Sequence, residues 1–88
     1  MFYKVKEVQA LPDYILQVYF VNGIVKSYDV KPLFNLWPAF KALQELPGLY
    51  KLVKVDVGGY GISWNDDLDL SCNELYNGGE LVTDKQTA

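Results

Sequence analysis

The largest set of potential ligand atoms in this sequence is an acidic run that extends from Asn65 to Glu74. Its carboxylates and amides supply the hard oxygen atoms that calcium prefers. An EF-hand loop that begins at Asn65 needs Gly at its sixth position and Glu at its twelfth, but those positions hold Leu70 and Tyr76. The spacing therefore predicts turn and helix-cap chemistry, and we expect no metal site.

Patterns that indicate catalysis are weak in the rest of the chain. The sequence contains no His, which removes the usual general base near neutral pH and the partner that a Cys or Ser nucleophile needs. Cys72 therefore has no expected base. Gly58-Gly59-Tyr60-Gly61 lacks the spacing of a phosphate-binding loop and is typical of a hairpin turn. We expect a protein that is not an enzyme and that binds no cofactor.

Composition argues against two further classes of partner. The chain has a net charge of −3 and no Arg, so the bidentate contacts that favour phosphate and guanine are missing and nucleic acid is not expected. Charged residues near the start and the lack of a run of about 18 apolar residues argue against secretion and against a membrane span. A lone Cys72 fits a reducing compartment, and we expect a cytoplasmic protein.

The strongest structural signal is Asn22-Gly23 between two β-rich runs, which predicts a hairpin with a two-residue type I′ turn. That turn would set Phe20 opposite Val25 and place both on the core face. Tyr19 and Tyr28 would then share the opposite face of the hairpin.

Other strands follow from similar patterns. A first strand is predicted over residues 3–10, and Gly58-Gly59 predicts a second hairpin with Val55 opposite Ile62. Residues 68–70 add a short strand. Ser71 and Glu74 have capping-box spacing and predict a short C-terminal helix.

Between the hairpins the sequence predicts one central helix, which has Asn35 as its N-cap and ends near Leu46. Its apolar residues occur at spacings of three and four and are expected to cover a sheet face; they are Leu36, Trp37, Phe40 and Leu43. The predicted fold is α+β, with two β-hairpins forming a small, mostly antiparallel sheet against this helix. The domain is expected to span residues 1–77, followed by a frayed tail over residues 78–88.

Seven Tyr and two Trp provide more aromatic surface than a core of this size can hide. Aromatic side chains are favoured at protein interfaces. We therefore take Tyr19, Tyr28 and Tyr50 as candidate contacts with a partner protein. An open sheet edge would also allow a second copy to add a strand and form a homo-oligomer.

The order of these segments resembles the bacterial Domain of Unknown Function 2442 family. The similar segments span about residues 3 to 77 and include Phe20-Val-Asn-Gly23, Tyr28-Asp29-Val-Lys-Pro32-Leu33, Gly59-Tyr-Gly-Ile-Ser-Trp-Asn-Asp66 and Leu75-Tyr76. The resemblance implies a small two-layer α+β domain without established catalytic residues. It also implies an antitoxin-like role, because some members lie beside genes for another small family.

These observations lead us to expect a non-enzymatic module that binds another protein, as the neutralising member of a bacterial pair. One alternative is an enzyme, or a domain that binds a ligand or cation, and that uses the loop from Asp66 to Glu74 near Tyr60 and Trp64. A self-assembling structural module is the other alternative.

Overall fold

Seven short strands and three short α-helices form the described part of the computed structural model, which covers residues 2–82. The strands are β1 (Val5–Leu11), β2 (Ile15–Phe20), β3 (Val25–Asp29), β4 (Lys54–Val55), β5 (Gly61–Asn65), β6 (Leu68–Ser71) and β7 (Glu80–Leu81). The helices are α1 (Leu33–Leu36), α2 (Ala42–Glu45) and α3 (Cys72–Gly78). None of these helices is long and apolar enough to cross a membrane.

The strands form two antiparallel sheets, with the order β1-β2-β3-β7 in one and β4-β5-β6 in the other. The α+β class is therefore confirmed, whereas the expected single sheet is divided in two. Both sheets and the helices contribute to one apolar core, whose most deeply buried side chains are Leu16, Val18, Phe20, Val30, Ile62, Cys72 and Leu75.

The first hairpin forms at the predicted place, but its turn and register differ from the prediction. The N–H of Phe20 donates to the Ile24 carbonyl at 2.9 Å, and the N–H of Gly23 donates to the Phe20 carbonyl at 3.0 Å. Gly23 has a φ of 91°, and Asn22 is not among the residues with positive φ. This is the pattern of a type I turn followed by a left-handed Gly, which makes a loop one residue longer than a type I′ turn.

The longer loop changes which residues of β3 face the core. Tyr19 now lies opposite Val25, and Leu16 lies opposite Tyr28. Because side chains alternate between the faces of a strand, a shift of one residue turns Tyr28 from the outer face to the core face. Tyr28 is only 4% exposed, so the expectation that it shares an outer face with Tyr19 is wrong.

Replacing Gly23 with Val is expected to lower the free energy of unfolding by about 1–3 kcal/mol, because a β-branched side chain resists a positive φ. A Cβ atom at Gly23 would meet no atom within 4 Å, so the loss would report backbone strain and not a clash. Urea denaturation of the wild type and of Gly23→Val measures the change in the free energy of unfolding. Equal denaturation midpoints would contradict this account of the turn.

The second hairpin has the predicted register but shorter strands. Val55 pairs with Ile62, as expected, and Lys54 pairs with Ser63. Gly58 and Gly59 both have positive φ, as the turn signal predicted. The strand before the turn is only two residues long, because Tyr50–Leu52 and Val57–Gly59 form 3₁₀ turns.

The predicted central helix is broken, and Trp37 is the point of the break. Trp37 has an extended conformation, with φ −132° and ψ 100°, between α1 and a 3₁₀ turn over Pro38–Lys41. The ring of a proline disfavours a helical conformation in the preceding residue, so Pro38 ends the helix at Leu36. The residue at the N-cap of α1 is Pro32, not Asn35 as predicted.

The C-terminal helix forms as predicted, and a short strand follows it. The Glu74 N–H donates to Ser71 Oγ at 3.1 Å and caps α3. β7 then pairs with β3, with Glu80 opposite Ser27. The segment predicted as a frayed tail therefore includes a paired strand, and its residues 83–88 lie outside the described residues.

Candidate functional site

The three tyrosines predicted as partner contacts lie in different environments. Tyr19 is half-buried on the outer face of the four-stranded sheet, where its hydroxyl accepts from Gln17 Nε2 at 2.7 Å and donates to Gln9 Oε1 at 3.4 Å. Tyr28 lies in the core, and Tyr50 lines a cleft next to the β1–β2 turn. The structure therefore does not bring them together as one surface.

Tyr50 supports the fold at this cleft, which has a volume of about 600 Å³. Its hydroxyl lies 2.8 Å from the Leu11 carbonyl oxygen and 3.0 Å from that of Ile15, within reach of donation to either. Burial raises the pKa of Tyr50 to about 12. The phenol therefore stays protonated near neutral pH and ties together the two ends of the β1–β2 turn.

That turn contains two consecutive residues in the left-handed region, Asp13 (φ 64°) and Tyr14 (φ 58°). Such a conformation costs about 1–3 kcal/mol for a residue other than Gly. The Lys31 amino group donates to the Asp13 carbonyl at 2.7 Å and forms an ion pair with Asp29 at 2.9 Å. Lys31 therefore links the strained turn to the end of β3, and we assign this region a structural role.

The acidic loop forms a turn at one end, and its other end lies beside Tyr60, whose carbonyl accepts from the Cys72 N–H at 2.8 Å. Asn65 Oδ1 accepts from the N–H groups of Asp67 and Leu68, each at 2.9 Å, which makes the run a turn. Tyr60 directly precedes β5, whereas Asp67 lies in the turn between β5 and β6. The two residues therefore lie at opposite ends of the β5–β6 hairpin. Among residues 2–82, no three His, Cys, Asp or Glu side chains are grouped closely enough to hold a metal ion.

A more promising surface surrounds Leu36 and Trp37, which are 66% and 53% exposed. The sequence pattern placed both residues in the core with Phe40 and Leu43, but only Phe40 and Leu43 are buried. The break in the helix explains the difference, because the helical periodicity does not continue through an extended residue. The Trp37-Pro38 step was the signal that could have identified it.

Two clefts flank these exposed side chains. A cleft of about 400 Å³ is lined by Leu36, and a cleft of about 330 Å³ is lined by Trp37. Glu74 lines both clefts. We call Leu36, Trp37, Glu74 and these two clefts the Trp37 surface.

Glu74 is held in place from two sides. The cap at Ser71 fixes the first turn of α3, and the Tyr28 hydroxyl donates to Glu74 Oε2 at 2.8 Å. Burial, followed by this hydrogen bond, raises the pKa of Tyr28 well above its ordinary value. Tyr28 therefore acts as a hydrogen-bond donor that orients a carboxylate on the surface, which is a role that the sequence did not indicate.

A second exposed apolar cluster lies at the tip of the first hairpin and beside the Gly58-Gly59 turn. Phe2 and Tyr60 pack edge to face with their ring centroids 5.3 Å apart, and the Lys4 amino group lies 5.0 Å from the centre of the Tyr60 ring. Phe2 and Val21 line a small cleft. This cluster provides a comparison surface for experiments.

Comparison with known proteins places the chain in a family without giving it an activity. The family model described as "Protein of unknown function (DUF2442)" matches residues 5–80. No curated protein and no solved structure matches the chain significantly. Because the matched segment includes nearly all of the described strands and helices, the chain belongs to the DUF2442 family.

Proposed function

We propose that this protein is a non-enzymatic module that binds another protein through the Trp37 surface. The observation that carries the proposal is the exposure of Leu36 and Trp37 between two clefts. A large apolar side chain that projects into water gains free energy when a partner covers it. Trp is also among the residues that most often dominate the binding energy of protein interfaces.

The chemistry of this surface favours binding over catalysis. A general acid or base works best when its pKa lies near the working pH. The ordinary pKa of Tyr already lies above neutrality, and burial raises the pKa of Tyr28 further. Its hydroxyl also donates a hydrogen bond to Glu74. The same pair suits recognition, because it holds a carboxylate at a fixed position without a bound cofactor.

A more specific role follows from the family resemblance and from the charge of the chain. The protein is acidic, with a net charge of −3. We propose that it acts in the cytoplasm as the neutralising, antitoxin-like member of a bacterial pair. Binding of a partner with a complementary charge is accelerated by electrostatic attraction.

Self-association through a sheet edge receives less support. β1 is an edge strand of seven residues, but the turn at Gly59 lies close against the Val5 carbonyl. The opposite edge, β7, is only two residues long. The β7 edge therefore offers few backbone groups to a second copy, and the Gly59 turn covers the Val5 end of β1.

Replacing Trp37 with Ala is expected to weaken binding of the partner protein by about 2 kcal/mol, roughly a thirtyfold loss of affinity. The partner would first be captured with the wild-type protein from extracts of its native host. Its affinity would then be measured with purified components by calorimetry. The fold should be retained, because the Trp37 residue is already 53% exposed in the folded protein.

The matched control is Tyr60→Ala, which removes an aromatic side chain of similar exposure from the other apolar cluster. It should leave the affinity unchanged. A variant at Tyr28 is unsuitable, since that side chain is buried. Wild-type affinity in Trp37→Ala, or a loss in Tyr60→Ala of the same size, would contradict the assignment of the Trp37 surface.

A further inference from the structure

We propose that the cleft beside Leu36 binds a basic side chain, Arg or Lys, that projects from the partner protein. The inference rests on the proposed protein-binding function and names the chemistry of the contact. The cleft combines apolar walls from Ile15, Leu33 and Leu36 with an acidic rim that includes Glu74 and Glu80. An aliphatic stem with a cationic end matches both parts of such a site.

The charges of the rim are not neutralised within the described part of the chain. Asp29 also lines the cleft, and its carboxylate forms an ion pair with Lys31. The ion pairs among residues 2–82 join Lys31 to Asp13 and Asp29, whereas Glu74 and Glu80 take part in none. A cation from the partner would therefore meet two uncompensated carboxylates.

The position of Glu74 is suited to this contact because one of its oxygen atoms is already fixed. Glu74 Oε2 accepts the hydrogen bond from Tyr28, which restricts the rotation of the carboxylate. An ionised carboxylate has capacity for several hydrogen bonds, so Oε1 can accept from an incoming guanidinium or ammonium group. Preorganisation of this kind lowers the entropy that binding must lose.

The shape of the cleft also agrees with an extended basic side chain. Its volume of about 400 Å³ lies at the lower end of the range of about 300–1,000 Å³ that is typical of ligand pockets. Leu33, which is buried, and Leu36, which is mostly exposed, both line the cleft. The methylene groups of Arg or Lys can pack on these two residues while the cationic group reaches Glu74.

The first test titrates the ¹⁵N-labelled protein with N-acetyl-leucyl-arginine amide and follows its amide resonances by NMR. The matched probe replaces arginine with citrulline, which has a similar shape and no charge. We expect saturable shifts at residues around Glu74 and Leu36, and an affinity about fivefold higher for the arginine peptide. Equal affinities for the two peptides, or no saturable shift around Glu74, would overturn the proposal.

The second test uses Glu74→Gln, in which an amide oxygen can still accept the hydrogen bond from Tyr28 while the charge is lost. We expect this variant to lose most of its preference for the arginine peptide, with a small preference left by Glu80. Glu45→Gln removes the same charge from an exposed position on α2, outside this cleft, and should keep the preference for arginine. Retention of the full, roughly fivefold preference in Glu74→Gln would also overturn the proposal.

The outcomes separate this inference from the proposed function. If partner capture depends on Trp37 but the peptides bind equally, the protein-binding function stands and the basic contact is wrong. If the arginine preference depends on Glu74 but no host protein depends on Trp37, the cleft has the proposed chemistry and the assigned protein interface is wrong.

Discussion

Gly59→Ala is expected to lower the free energy of unfolding by about 2–5 kcal/mol, the largest effect that we predict for a glycine in this chain. Two costs add at this position. Gly59 has a φ of 78°, in the region that L-residues avoid. A Cβ atom there would also lie 2.6 Å from the backbone oxygen of Val5, so β1 or the Gly58-Gly59 turn would have to move.

The control for this prediction is Gly48→Ala. Gly48 has a φ of 85°, but a Cβ atom there would meet nothing within 4 Å. This variant should therefore show only the backbone cost, about 1–2 kcal/mol. Urea denaturation of the three proteins gives both values. Equal losses in Gly59→Ala and Gly48→Ala would show that the second hairpin does not pack on β1 as described.

Phe20→Ala is expected to lower the free energy of unfolding by about 3–5 kcal/mol, which is the usual cost of removing a buried Phe side chain. Phe20 is 2% exposed and packs edge to face on Tyr76, with the ring centroids 5.0 Å apart. The cavity would lie between the four-stranded sheet and α3. Since small domains have a total stability of about 5–15 kcal/mol, the variant should lose a large part of it.

The neighbouring residue gives a strict control, because Val21 is 66% exposed. Val21→Ala should change the free energy of unfolding by no more than about 0.5 kcal/mol. Thermal and urea denaturation of both variants measure the difference. Comparable losses in the two variants would show that the end of β2 is not oriented with Phe20 in the core and Val21 in water.

The positions of the hairpins could be predicted from the sequence because they depend on a few neighbouring residues. Gly is favoured where φ is positive, and Gly23, Gly58 and Gly59 all adopt such values. The cap at Ser71 is similarly local, since its hydroxyl reaches an N–H three residues later. These features require little information from distant parts of the chain.

The register of the first hairpin could not be predicted from the residues of its turn. Asn-Gly is compatible with a two-residue turn and with the longer turn observed here, and the choice decides which face Tyr28 occupies. The hydrogen bond from the buried Tyr28 to Glu74 joins residues 46 positions apart. Its formation depends on the packing of α3 against β3, which local patterns do not contain.

The sequence by itself determined the α+β class, the positions of the two hairpin turns and the capped C-terminal helix, because each follows from backbone preferences within a few residues. Only the tertiary structure decided that the strands form two sheets. It also decided that Tyr28 holds Glu74 between two clefts. Packing between distant segments sets these features, and apolar periodicity does not record which neighbour will cover each side chain.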